Sequence, residues 1–192
     1  NPVTKFATAN NGVTLSFPAV GAGGQGSVSG TLTFGVGTQS DNPLPSGVPQ
    51  ITTTPFGEVT TSFNGLPMPG IVDSGSGAYF FVDPSIGQCP SSFSNQPWFC
   101  PPDPATISAS LQSESGLTQG VSFTLFNSVA ELGNGSNAAH AGIGQNVGLF
   151  GSGELDLGMP YFYGKRITFG IQGNDDLAAG TPPDRRYPEY RR

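Results

Sequence analysis

Gly70-Ile71-Val72-Asp73-Ser74-Gly75-Ser76-Gly77-Ala78-Tyr79-Phe80-Phe81-Val82 sets two apolar runs on either side of a polar, glycine-bearing tetrapeptide. Apolar runs of this kind suit strands buried on both faces. An aspartate at the turn between two such strands stands out on energetic grounds, because an ionised carboxylate taken out of water is costly without compensating partners. The stretch therefore carries two expectations: β structure, and a carboxylate, Asp73, as the candidate functional group. The plain alternative is a turn aspartate whose side chain caps its own loop amides.

Outward from this stretch, short β signals recur between turn residues. Val13-Thr14-Leu15-Ser16-Phe17 alternates apolar with polar after the turn signal Asn10-Asn11-Gly12. Residues 28–36 alternate again after a glycine-rich stretch at 21–26. Residues 51–54 and 58–63 read as the two arms of a hairpin around Pro55-Phe56-Gly57. Residues 106–111 and 120–127 give two more strands and 128–135 a helical turn, while 155–159 lead through Pro160 into Tyr161-Phe162-Tyr163-Gly164 and the last strand at 166–171. There is no internal repeat. The organisation expected is one all-β domain over 1–172, with one or two short helices, and a polar tail at 173–192 containing Pro182, Pro183, Pro188 and four arginines.

Composition agrees with an all-β chain rich in loops. Of 192 residues, 29 are Gly and 18 are Pro, and both disfavour helix interiors. The 14 Phe and 5 Tyr fall with Val, Ile and Leu in short runs, which a disordered chain lacks. Only 10% of residues are charged and the formal net charge is −6. Between Lys5 and Lys165 there is no Lys or Arg, against nine acidic residues. A body so poor in cations cannot neutralise a run of phosphates, which argues against nucleic acid as a partner, and against an anionic membrane surface. No apolar run approaches the roughly 20 residues of a membrane span. The chain begins Asn1-Pro2 without a signal-like segment, which reads as an interior or processed start.

Cys89 and Cys100 stand eleven positions apart around Pro90, Pro97 and Trp98. With one His and no further Cys, a zinc site lacks its usual ligands, so neither metal nor cofactor is expected. A disulfide closing a short loop is the favoured reading, with two buried free thiols as the alternative. A disulfide implies an oxidising compartment, hence an exported protein.

Asp73-Ser74-Gly75-Ser76, preceded by Ile71-Val72, resembles the active-site motif of the pepsin-like aspartic peptidases, which is Asp, Thr or Ser, Gly, Thr or Ser after two apolar residues. Two further segments extend the resemblance. Gly30-Thr31-Leu32-Thr33-Phe34-Gly35 resembles the glycine-flanked strand that opens the second lobe of a pepsin. The run from Leu157-Gly158 through Met159-Pro160-Tyr161-Phe162-Tyr163-Gly164-Lys165-Arg166-Ile167-Thr168-Phe169 is similar to the segment that closes it. In detail the chain looks closest to a bacterial family of exported proteins known only as a domain of unknown function. The likeness spans roughly 1–172 and implies one lobe of orthogonally packed antiparallel strands.

Carried over to this sequence, the resemblance implies that Asp73 is one of two catalytic carboxylates. It implies that Ser74 hydrogen-bonds across a lobe interface, that Gly75 lets the backbone approach the aspartate and that Ser76 hydrogen-bonds the outer carboxylate oxygen. Leu157-Gly158 would support the loop from below. Asp156 departs from the pattern, which prefers an apolar residue there. Asp83, Asp156 and Asp175 lack the Ser-Gly continuation, so the chain offers one motif where the chemistry needs two. The expected function is thus half of an exported aspartic endopeptidase acting on a peptide or protein substrate. The isolated chain is inactive until a missing N-terminal lobe or a second copy supplies the other aspartate. The rival functions are a non-catalytic pepsin-like binding module and a structural domain of the cell envelope. His140 is read as an ordinary packing histidine, the aromatic runs at 79–81 and 161–163 as core, the Arg pairs as solvated, and Asn134-Gly135-Ser136 as a weak glycosylation pattern.

Overall fold

The computed structural model describes residues 2–113, 116–147 and 153–171. The expected tail at 173–192 lies outside the described residues. Among the described residues are ten strands: β1 (Gly12–Ser16), β2 (Thr31–Phe34), β3 (Glu58–Phe63), β4 (Leu66–Val72), β5 (Tyr79–Phe81), β6 (Ala105–Gln112), β7 (Thr118–Leu125), β8 (Gly144–Asn146), β9 (Leu155–Leu157) and β10 (Arg166–Gly170). One short helix, α1 (Ser128–Leu132), and two 3₁₀ turns complete them, so the chain is all-β as its composition leads one to expect.

The chain forms two compact units, one from 1–16, 30–48 and 166 onward, the other from 17–29 and 49–165. In the first, β1 is the middle of an antiparallel sheet of order β10-β1-β2. Thr14 and Thr168 join hydroxyls across it at 2.8 Å. The buried Asn11 amide imitates a strand partner, accepting from Val36 N at 2.8 Å and donating to Val36 O at 2.9 Å. The strand expected over 28–36 is shorter here, Thr31–Phe34. Residues 28 and 29 belong to the other unit, and Gly35, at φ +78°, turns the backbone out of the ladder.

The second unit is a seven-stranded mixed sheet of order β7-β6-β3-β4-β9-β5-β8. Strands β3 and β7 alternate as half-buried strands do. Val59, Thr61 and Phe63 of β3 face inward, as do Val121, Phe123 and Leu125 of β7. These meet Tyr79, Phe81, Phe99, Leu155 and Leu157 in one core, where Tyr79 stacks on Phe123 at 4.0 Å between ring centroids and Phe81 lies 4.8 Å from Phe99. Each such side chain contributes roughly 1.5–3 kcal/mol through burial.

The hairpin expected between 51–54 and 58–63 does not form. Residues 51–54 are not a strand, and the hairpin partner of β3 is β4, in register from Glu58↔Ile71 to Phe63↔Leu66. The turn is Asn64-Gly65, both left-handed at φ +51° and +76°, the geometry whose twist suits a two-residue hairpin. Pro55-Phe56-Gly57 makes only a local turn, closed by Thr54 N donating to Glu58 O at 2.7 Å. Pro67 and Pro69 sit two apart in β4, so both nitrogens face one edge, a spacing that leaves the other edge free to pair.

Cys89 and Cys100 form a disulfide, with Cα atoms 4.8 Å apart. The loop that it closes is stitched to β8 by Asn146 N donating to Pro97 O and Phe99 N donating to Gly144 O. It also delivers the fully buried Phe99 to the core. α1 is capped by Asn127, whose Oδ1 accepts from Val129 N at 3.0 Å and Ala130 N at 3.3 Å.

Candidate functional site

β4 and β5 follow one another in sequence but do not pair. β9 lies between them, parallel to β4 (Ile71↔Asp156, Val72↔Leu157) and antiparallel to β5 (Phe80↔Asp156). Residues 73–78 must therefore pass over the carboxyl end of β9. Two backbone bonds hold them there: Asp73 N donates to Leu157 O at 3.2 Å, and Met159 N donates to Ser76 O at 2.7 Å. Gly158 makes the close crossing sterically allowed. A Cβ at that position would collide with Ala78 O and stand 2.8 Å from Ser76 O.

Within this loop Asp73 is half-buried while Ser74 and Gly75 are exposed. Asp73 Oδ1 accepts from Gly75 N at 2.7 Å and Oδ2 accepts from Ser76 Oγ at 2.9 Å. A Cβ on Gly75 would lie only 3.1 Å from Asp73 Oδ1, so glycine gives that amide its approach. Six of the sequence-derived residues, Asp73, Ser74, Gly75, Ser76, Leu157 and Gly158, thus meet at one place. Cys89 and Cys100 are in the separate loop against β8.

Beneath the loop is a residue that sequence reading noted only as a departure. Asp156 is fully buried and neither of its carboxyl oxygens has a hydrogen-bond partner. Burial pushes its carboxyl up to about 7; the charges of Asp73 and Glu154 push the same way, and the Ser76 hydroxyl acts against them. The signal in the sequence was Leu155-Asp156-Leu157, an acid at the centre of an apolar strand.

Other candidates take structural places. Asp83 is buried, which opposes its ionisation. The hydroxyl and amide of Ser85 and the amide of Asn64 nevertheless bring it below the ordinary carboxylate range. It thereby ties the β3–β4 turn to the end of β5. His140 Nδ1 lies 3.9 Å from Glu131 Oε2, and Glu131 Oε1 accepts from Gly23 N at 2.7 Å, which anchors the glycine-rich 21–26 stretch. Tyr79, Phe81 and Phe162 are core residues. A hollow of about 290 Å³ opens beside Met159, lined also by Phe17, Val28, Ala138 and Tyr163; Asp73 is not part of its wall.

Fold and site together define an all-β, disulfide-bonded protein carrying a half-buried aspartate on a loop held over a buried acid. A family model described as "Protein of unknown function (DUF3443)" matches residues 1–183, and the chain belongs to that family. No curated protein and no solved structure matches it. Among the described residues no helix is long and apolar enough to cross a membrane, and the disulfide is compatible with an oxidising compartment.

Proposed function

We propose that the chain is one lobe of an exported, pepsin-like aspartic endopeptidase, in which Asp73 is one of two catalytic carboxylates and a second lobe or a second copy of this chain brings the other. The observation that carries this reading is the Asp73 loop: a carboxylate with one oxygen on the Gly75 amide and the other on the Ser76 hydroxyl, at the shared carboxyl end of parallel β4 and β9. An ordinary turn aspartate also accepts an amide two residues on. What the turn reading leaves unexplained is the support below, where Leu157 and Met159 bond the loop backbone and Gly158 is the residue that fits.

In the proposed mechanism the two carboxylates stand about 3 Å apart and share one proton, since both cannot ionise at that distance. The ionised partner takes a proton from water as it attacks the peptide carbonyl, while the protonated one gives its proton to the carbonyl oxygen. The dyad titrates as a unit. Gly75 and Ser76 fix the plane of Asp73, so that no reorientation is needed during the transfer. In this reading the exposed Ser74 supplies the hydroxyl that bonds the opposing lobe.

A peptide whose scissile carbonyl is replaced by a tetrahedral secondary alcohol tests this on the full gene product. Binding at least about 100-fold tighter than that of the parent peptide is expected, and is lost in Asp73→Ala. Equal affinity for both peptides, or binding indifferent to Asp73, would leave a non-catalytic pepsin-like module as the better reading.

A further inference from the structure

A buried carboxylate with no partner is too costly to persist, so Asp156 must be neutral or matched by a donor. No Lys or Arg occurs between Lys5 and Lys165 to match it. Its strand neighbours β4 and β5 carry no cation, and Tyr79 of β5 and Tyr161 of the following turn stay neutral because burial raises both phenols. The charged groups acting on Asp156 are Asp73 and Glu154, both acids. A neutral carboxyl is a donor, and it needs an acceptor. Asp156 is fully buried with no partner on either oxygen. The loop bonded over the end of its strand by Met159 N to Ser76 O carries the Ser76 hydroxyl, whose single hydrogen is on Asp73 Oδ2 and whose oxygen can still accept.

We infer that Asp156 is a positioning residue for Asp73: its protonated carboxyl donates to Ser76 Oγ and so commits the serine hydrogen to Asp73 Oδ2. The relay then runs Asp156 O–H to Ser76 O–H to Asp73, with every hydrogen used and no buried charge. Loss of the Asp156 proton leaves two carboxylates competing for one serine hydrogen, and the loop loses its fixed arrangement. Asp73 is therefore set for work in acid and released toward neutral pH. The consequence for catalysis rests on the proposed peptidase reading; the coupling between the two carboxyls does not.

Carboxyl-carbon NMR of the 192-residue chain, labelled at aspartate, reads the coupling directly. Asp156 is expected to titrate near pH 7, and the Asp73 carbon to show an extra step at that same pH. Asp156→Asn, which preserves shape and can still donate to Ser76, abolishes that step in the Asp73 signal. Ser76→Ala leaves Asp156 in place and diminishes the step, which guards against a folding defect in the first variant. Titration of Asp156 in the ordinary carboxylate range overturns the proposal, as does an Asp73 step that persists in Asp156→Asn. A coupled step in this chain, with no peptide cleavage by the full gene product at any pH, would remove the peptidase reading and leave the positioning role standing. Cleavage without the step would do the reverse.

Discussion

Asp73, Asp83 and Asp156 differ in what surrounds the same carboxyl group, and pH separates two of them in opposite directions. Asp156 holds its proton to about 7 in the folded chain, above the ordinary 3.8. Between those values the folded chain binds a proton that the unfolded chain has lost. Its contribution is thus complete below the unfolded value and disappears as pH rises through the folded one. Relative to Asp156→Asn, the wild type should lose stability from about pH 4 to pH 7 and then run parallel. At about 1.4 kcal/mol per unit the total is on the order of 4 kcal/mol at most. Denaturant unfolding of both proteins across that range measures it, and curves that stay parallel throughout would contradict a buried, protonated Asp156. Asp83 has the opposite sign. Burial opposes its charge but Ser85 and Asn64 lower it, so its contribution is present at neutral pH and is lost in acid, as pH falls through its folded value.

At the scale of elements, the Asn64-Gly65 turn and the Gly158 crossing are the joints of the site. Gly65→Ala, at φ +76°, should cost about 1 kcal/mol and leave the Asp73 loop intact. Gly158→Ala should cost more, about 2–4 kcal/mol, because the new methyl meets the carbonyls of Ala78 and Ser76, and it should disturb the Asp73 environment as well. Unfolding midpoints and the Asp73 carboxyl signal report the two effects; equal, small losses for both would show that the crossing is not close. Strands β6 and β7 were legible in the sequence because one buried face imposes alternation, whereas β1 alternates with its buried positions at Gly12 and Thr14 and its apolar Val13 and Leu15 only partly covered. The β3–β4 pair was not, since Leu66-Pro67-Met68-Pro69 hides a strand behind two prolines and Pro55-Phe56-Gly57 imitates its turn. Asp73-Ser74-Gly75-Ser76 was legible as a local pattern. The partnership with Asp156 was not, because only the long-range pairing of β4 with β9 brings residues 73 and 156 together.

For the whole molecule, the disulfide and the single Asp-Ser-Gly motif set the terms. Replacing Cys89 and Cys100 with Ser frees a loop that carries Phe99 into the core, so a loss of roughly 3 kcal/mol from the unfolded-state constraint is a lower bound. Reductant-dependent unfolding measures it, and unchanged stability would show that the loop docks without its covalent tie. The decisive measurement is cleavage of a denatured protein substrate between about pH 3 and pH 7, by the full gene product and by the isolated chain, each as wild type and Asp73→Ala, with the mass in solution of every active species. Acid-favoured cleavage that falls at least about 1,000-fold in Asp73→Ala, from a two-lobed chain or a dimer, is the expected result. Cleavage that survives Asp73→Ala, or a folded full-length protein with none at any pH, would contradict a catalytic Asp73.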